Sequence, residues 1–440
     1  MRDYFEGLCA ALDAALMGDE IYLANFAAED SDFVRLNGAR VRQAGHVAQT
    51  RLAIRLVSGE RHASLSLALS GNRADDLKRV TDGVARLRET LPHVAPDPYF
   101  LYNDVVTSTD ASATNELPDA ASMLADVLAQ SAGVDLVGFL ATGGIYTGFA
   151  NSLGQRNWHA SYSVNFDWSL HLRADRAVKA AYAGPRWDSS QVEKVLSRSR
   201  RELELLDNPA QTLKPGAYRA YLAPAALLEV MELLAWGGFG CKQQRTRQSP
   251  LMRLVDGNEQ LHPSVHLAED TAGGIAPAFQ SAGFARPESV PLVESGQFAN
   301  PLISPRSARE YGEQTNGAGD AEAPQSLSMQ GGTVADDDVL RMLDTGLYIN
   351  NLWYLNYSDR PACRITGMTR FAAFWVERGE IVAPVNVMRF DDSVYRLLGD
   401  HLDALTAEPE TILSTSTYDA RSTQSVRLPG AFVNEFRLTL

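Results

Sequence analysis

Between Trp158 and Leu172 the chain alternates with period two. Trp158, Ala160, Tyr162, Val164, Phe166, Trp168, Leu170 and Leu172 hold the even positions; His159, Ser161, Ser163, Asn165, Asp167, Ser169 and His171 hold the odd ones. A helix would scatter these residues around its axis, whereas a strand sorts them onto two faces. So long an alternation demands a long antiparallel strand, or two joined by a bend, with one face in a core and one polar face. The polar face is either a solvated sheet surface or the lining of a groove. In the second case His159, Ser161, Ser163, Asn165 and Asp167 are the candidate contacts to a bound substrate. His159 and His171 lie about 36 Å apart along an unbent strand, too far to share a metal.

Shorter signals surround this stretch. Leu8, Leu12 and Leu16 predict a helix over 2–17. Asn37-Gly38 and Ser58-Gly59 separate short β-rich runs and predict hairpin turns in an antiparallel meander over 21–69. Helical spacing returns over 74–91, 117–132 and 189–206. The Pro/Gly-rich joint from Asp207 to Gly216 divides an N-terminal α+β part, 1–212, from a β-rich C-terminal part, 213–440. The second part opens with a strand, Ala217–Leu222, and a helix beginning at Pro224. Residues 312–333, rich in Gly, Ser and Gln, predict a mobile surface loop. Asp336–Asp338 marks a helix start, and Arg378-Gly379 a tight hairpin between Phe371–Val376 and Ile381–Val387.

Composition narrows the function. Lys and Arg number 40 against 54 Asp and Glu, a net charge of −14. Such an anion lacks the electrostatics of a direct nucleic-acid binder. Three cysteines cannot staple 440 residues, which points to a reducing, cytoplasmic setting. No secretory leader is read at the start, and the most apolar stretch, Tyr221–Cys241, carries Glu229 and Glu232, so no membrane span is expected. There is no G-x-S-x-G elbow, Walker A loop, C-x-x-C or H-E-x-x-H. The remaining metal candidates are His262 and His266, whose spacing of four suits a helix while their context reads as a strand. Cys241, read at a helix end, and Cys363, in a loop, are expected to be structural thiols.

Two regions carry a family resemblance. One is Gly144-Ile145-Tyr146-Thr147-Gly148 followed by Asn151-Ser152-Leu153-Gly154. The other comprises Thr345-Gly346-Leu347-Tyr348, Ile365-Thr366-Gly367 and the run Trp375 to Val385, with Lys214–Pro224 at its entry. Both resemble the TldD/PmbA family, first named as modulators of DNA gyrase and including zinc-dependent proteases. The resemblance implies a two-part α+β architecture with antiparallel sheets and helices first and a barrel-like C-terminal domain. It also implies, in active members, an H-E-x-x-x-H motif on the helix opening that domain and a cysteine near its end. Here the matching helix, Ala225–Trp236, contains no histidine, and Ser414–Ser422 contains no cysteine. Where relatives show an acidic segment before a glycine turn, this chain has Phe279-Gln280-Ser281-Ala282-Gly283.

The chain is therefore similar to the TldE (PmbA) type, which lacks the metal. That likeness implies a non-catalytic subunit holding unfolded peptides, with no cofactor of its own and zinc only in a TldD-like partner. A dimer is expected, with that partner or as a homodimer, sharing a wall built on the 158–172 strand. Two alternatives stand beside it: a stand-alone peptide- or protein-binding scaffold, and an atypical active metallopeptidase using His262 and His266.

Overall fold

The computed structural model describes residues 1–173 and 176–439. Helix α1 (Arg2–Ala15) buries Phe5, Leu8, Cys9 and Leu12, the stripe its leucine spacing predicts. Strands β1 (Ile21–Asn37), β2 (Arg40–Ser58) and β3 (Arg61–Leu69) form the expected meander, far longer than the short runs in the sequence suggest. Asn37 pairs with Arg40 and Ser58 with Arg61, so the turns are Gly38-Ala39 and Gly59-Glu60, one residue beyond the expected pairs. Gly38 and Ala39 both take left-handed φ, 60° and 53°, as a two-residue turn matching the strand twist requires.

Helix α2 (Arg73–Thr90) starts where the Asn72 side chain accepts from the N–H groups of Ala74 and Asp75. After β4 (Thr109–Ser112) come α3 (Ala120–Gln130), capped by Asp119, then β5 (Asp135–Asn151), β6 (Arg156–Arg173), β7 (Arg176–Gly184) and α4 (Ser189–Leu205), capped by Asp188. The sheet runs β3-β2-β1-β5-β6, and the outer edge of β6 is shared by β4 and β7. The even positions of β6 are its core side, as the alternation demands. Trp158 packs with Phe5 and Phe26 below α1 and α2, and Phe166, Trp168 and Leu170 pack with Val127 and Leu196 of α3 and α4.

The odd side of β6 is covered too. Asn157, Ser161, Ser163 and Asn165 are all buried: Asn157 donates to Thr107 and Thr109, while Ser163 and Asn165 meet Arg421 and Ser414 of the C-terminal part, contacts that the alternation alone cannot reveal. The reading of a solvated face is corrected accordingly. Both faces of β6 are thus largely covered inside the chain, and the strand is exposed mainly at its end, at Leu172 and Arg173.

The C-terminal part opens with β8 (Gly216–Leu222) and α5 (Pro224–Ala235), whose first turn holds Pro224. Short helices α6 (Cys241–Arg245), α7 (Met252–Val255) and α8 (Pro305–Tyr311) alternate with β9 (Leu267–Glu269), β10 (Val290–Glu294), β11 (Gln297–Phe298) and β12 (Ser326–Met329). A 3-10 turn at Asp336–Asp338 leads into α9 (Val339–Leu343), as its acidic start predicts. Then follow β13 (Gly346–Asp359), β14 (Arg364–Glu377), β15 (Glu380–Pro384), β16 (Arg389–Ser393), β17 (Leu402–Leu405), β18 (Glu410–Leu413), β19 (Ser425–Leu428) and β20 (Ala431–Leu438). Strands β13, β8, β20, β16 and β14 pair in that order, and β14 pairs back to β13, closing a barrel-like ring. A second sheet runs β11-β10-β9-β12-β19-β18. The architecture is α+β, sheet-rich toward the C-terminus. Among the described residues no helix is long and apolar enough to cross a membrane.

The 312–333 tract is not the mobile loop its composition suggests. It contains β12, which lies between β9 and β19. Glu322, 1% exposed, accepts from the backbone N–H groups of Lys242 and Ser304. Side chains at Gly331 and Gly332 would collide with the carbonyl oxygens of Ala407 and Leu405. Glycine here permits close backbone approach, which composition cannot distinguish from looseness.

Candidate functional site

Where the N-terminal sheet meets the ring, the chain encloses a cavity of about 710 Å³. The far half of β6 supplies Asn165 and Asp167, β7 supplies Lys179 and Ala180, and α4 supplies Arg198, Arg201 and Glu202. From the C-terminal part come the outward stripe of α5, Tyr348, Asn350 and Asn351 of β13, and β18. Helix α5 buries Ala226, Leu227, Val230, Met231 and Leu234 in the core. Its remaining stripe, Ala225, Leu228, Glu229 and Glu232, faces the cavity at helical spacing. Among the described residues β7 and β18 each hydrogen-bond to one strand only, β6 and β19, and both line the space.

Charge is dense here. Lys179 Nζ lies 3.5 Å from Asp167 Oδ2. Burial raises the pKa of Asp167, with Lys179 opposing. Burial also raises Glu229, and the like charge of Glu232 adds to it. Glu202, 6% exposed, accepts from Asn350 Nδ2 at 3.0 Å. Its burial pushes it from 4.5 to about 7, against the pull of Arg198.

A carboxyl raised in this way takes up a proton on folding between about pH 5 and pH 7. Its folded form is therefore favoured below that window and penalised above it. Glu202→Gln, which keeps an acceptor for Asn350, is expected to flatten the loss of stability from pH 5 to pH 8 by about 3 kcal/mol at most. Urea midpoints at several pH values check this, and parallel curves for both proteins would refute it.

The residues singled out on β6 part company. Asn165 and Asp167 reach the cavity. Asn165 Nδ2 also donates to the Ser414 carbonyl at 3.2 Å. Ser163 is engaged by Arg421, whose Nη2 donates to its Oγ at 2.6 Å and its carbonyl at 2.9 Å. Ser161 is buried with Oγ unpaired. His159 Nε2 sits 3.0 Å from the Ile275 carbonyl, and burial lowers its pKa against the pull of that contact. The segment from Ser414 to Gln424 thus straps the polar face of the sheet. The carboxylates of α4, α5 and β18 escape the sequence reading because they converge from distant segments.

His262 and His266 flank a turn at Pro263-Ser264, closed by the Val265 N–H donating to the His262 carbonyl at 2.8 Å, and lie on neither the helix their spacing suits nor the strand their context suggests. His262 Nδ1 is 2.8 Å from Ser264 Oγ, and His266 Nδ1 accepts from the Ser295 N–H at 3.3 Å. Among the described residues no three His, Cys, Asp or Glu side chains form a metal-holding group. Cys241 opens α6 instead of ending a helix, so the helix dipole acts to lower its thiol pKa, where a helix end would raise it. Burial, with Glu322 beside it, still raises its pKa. Burial pushes Cys9 and Cys363 up to about 12. Purified chain dialysed near neutral pH is expected to carry no stoichiometric zinc by elemental analysis. A zinc content near one per chain, lost in H262A/H266A, would make those histidines the site.

Residues 215–440 match the family profile described as the PmbA/TldA metallopeptidase C-terminal domain. Three solved structures share the fold. A proposed modulator of a DNA gyrase from Thermotoga maritima is 14% identical, with TM-score 0.76 over 100% of both chains. TldE from Thermococcus kodakarensis is 14% identical, with TM-score 0.75 over 99% of this chain and 100% of the other. A proposed modulator of DNA gyrase from Bacteroides thetaiotaomicron is 15% identical, with TM-score 0.74 over 100% of this chain and 99% of the other. Comparison with curated protein sequences finds no match. Because the family profile covers more than half of its length, the chain belongs to the TldD/PmbA family.

Proposed function

We propose that this chain is a metal-free, TldE-like subunit that holds extended peptides while a zinc-bearing, TldD-like partner hydrolyses them. The observation that carries this reading is the cavity face of α5, which presents Leu228, Glu229 and Glu232. No histidine or cysteine lines the cavity among the described residues. The zinc of a metallopeptidase does not fit this donor set of carboxylates beside Lys179, because such sites are built on imidazole or thiolate nitrogen and sulfur with at most a carboxylate added. No hydrolytic step is assigned to this chain.

The edges of β7 and β18, which lie side by side and among the described residues each hydrogen-bond to one strand only, support the holding role. An extended peptide pairs its backbone with such an edge, and a cavity receives its side chains. The partner's seat is proposed at the end of α5 and along β13. There Trp236 is 69% exposed and Tyr354 77%. Arg360 stacks over Trp236 and Tyr357, and Arg370 over Trp353. Exposed aromatics interleaved with arginine are the composition of interface centres. We also propose that the joint near residues 207–216 separates two folding units.

Co-expression with a family member bearing H-E-x-x-x-H tests the function. The two chains are expected to co-purify, and a disordered polypeptide to be cleaved only when both are present. Chelator-sensitive cleavage by the highly purified chain alone would overturn the proposal. So would a strict monomer that binds no zinc-motif relative.

A further inference from the structure

We propose that the cavity recognises organic cations, selecting extended peptides through lysine or arginine side chains seated against Glu229 and Glu232. This rests on the peptide-holding reading above. Among the described residues eight carboxylates line the cavity against three cations, an excess of five negative charges when all are ionised. The internal cations do not balance them. Lys179 is engaged with Asp167, and neither Glu229 nor Glu232 has an ion-pair partner within 4.0 Å among the described residues.

A second observation points the same way without charge. Asn351 lines the cavity, is 8% exposed, and its Oδ1 has no hydrogen-bond partner. Its neighbour Asn350 has already committed Nδ2 to Glu202. The cavity therefore presents surplus acceptors, both charged and neutral. An ammonium, with three donors and no acceptor, or a guanidinium, with five, is their chemical complement. Leu228 and Ile412 offer apolar wall for a methylene stem. Free polyamines share this chemistry, so the test separates the two sources.

Fluorescence anisotropy of the full chain with three labelled, disordered peptides provides that test. The peptides are alike except for lysine, glutamine or glutamate at alternate positions. The lysine peptide is expected to bind about tenfold tighter than its glutamine twin, and the glutamate twin more weakly still. E229Q/E232Q should erase that preference while leaving the glutamine twin bound. K179Q, which removes a competing internal cation, should tighten the lysine peptide instead. The opposite signs of the two variants distinguish recognition from a folding defect. Equal affinity for all three peptides would sink the cation inference and leave peptide holding intact. Binding of spermidine that E229Q/E232Q abolishes, with no peptide bound, would keep the cation site and remove peptide holding. No binding of any probe would remove both.

Discussion

Gly143→Ala is expected to cost about 4 kcal/mol. Gly143 sits in β5 with φ at 142°, a region that side-chain-bearing residues avoid. A Cβ there would collide with the carbonyl oxygen of Asp30 and lie 2.7 Å from Ser31 Cα. Both atoms are backbone of β1, paired on its other side to β2, so neither can swing aside. Gly144→Ala is the control. Its Cβ would meet the side chains of Tyr146 and Tyr162, which can turn away, and a cost nearer 1 kcal/mol is expected. Urea unfolding followed by tryptophan emission compares the two. Equal midpoints would mean that the β1–β5 pair has slack that the structure does not suggest.

Arg421→Ala is expected to free the strap between Ser414 and Gln424. Arg421 is 8% exposed and donates to Ser31 Oγ at 3.2 Å, to the Gly143 carbonyl at 3.4 Å and twice to Ser163. Burial disfavours its charge, and Glu29 offsets part of that penalty. Hydrogen bonds to a charged group are worth about 1.5–3 kcal/mol, so losing this set should raise the open population at least about tenfold. Tyr418, 89% exposed, provides the readout as a chymotrypsin site. Cleavage after Tyr418 is expected to speed up in the alanine variant and to recover only in part in Arg421→Lys. A single ammonium cannot reach Ser31 and Ser163 as a fork does. Unchanged cleavage would show that the strap is held elsewhere.

Much of the fold is legible in the sequence wherever one local rule governs. Strand β6 follows from strict alternation, α1 from leucines four apart, and the β14–β15 hairpin from Arg378-Gly379, both at left-handed φ. Strand β5, the long partner of β6, gives no such signal. Gly138, Gly143, Gly144 and Gly148 interrupt its pattern, each where a neighbour crowds the backbone. The 312–333 tract misleads for the same reason. Glycine marks tight approach as often as freedom, and only the surrounding chain decides which.

The site is less legible than the fold. Asn165 and Asp167 are read correctly as polar residues of one strand face, but nothing local says that Glu202, Glu229 and Glu410 will meet them. Neither does a local rule show that Ser163 will be claimed by an arginine from the second half of the chain. The family resemblance locates α5 as the helix to inspect. The acid-rich cavity beside it follows only from the tertiary arrangement.

The closed ring also bears on how the chain reaches its native state. Strand β8 is made early, yet its parallel neighbour β13 and its antiparallel neighbour β20 both follow much later in the sequence. During synthesis from the amino end, the edges of Ala217–Leu222 stay bare until those strands emerge from the ribosome. Closure must then bridge long loops before any pairing rewards it, which slows folding. In that interval an apolar strand with open edges invites pairing with other nascent chains. Slowing the arrival of β20 is therefore a route to aggregation that leaves the native contacts themselves untouched.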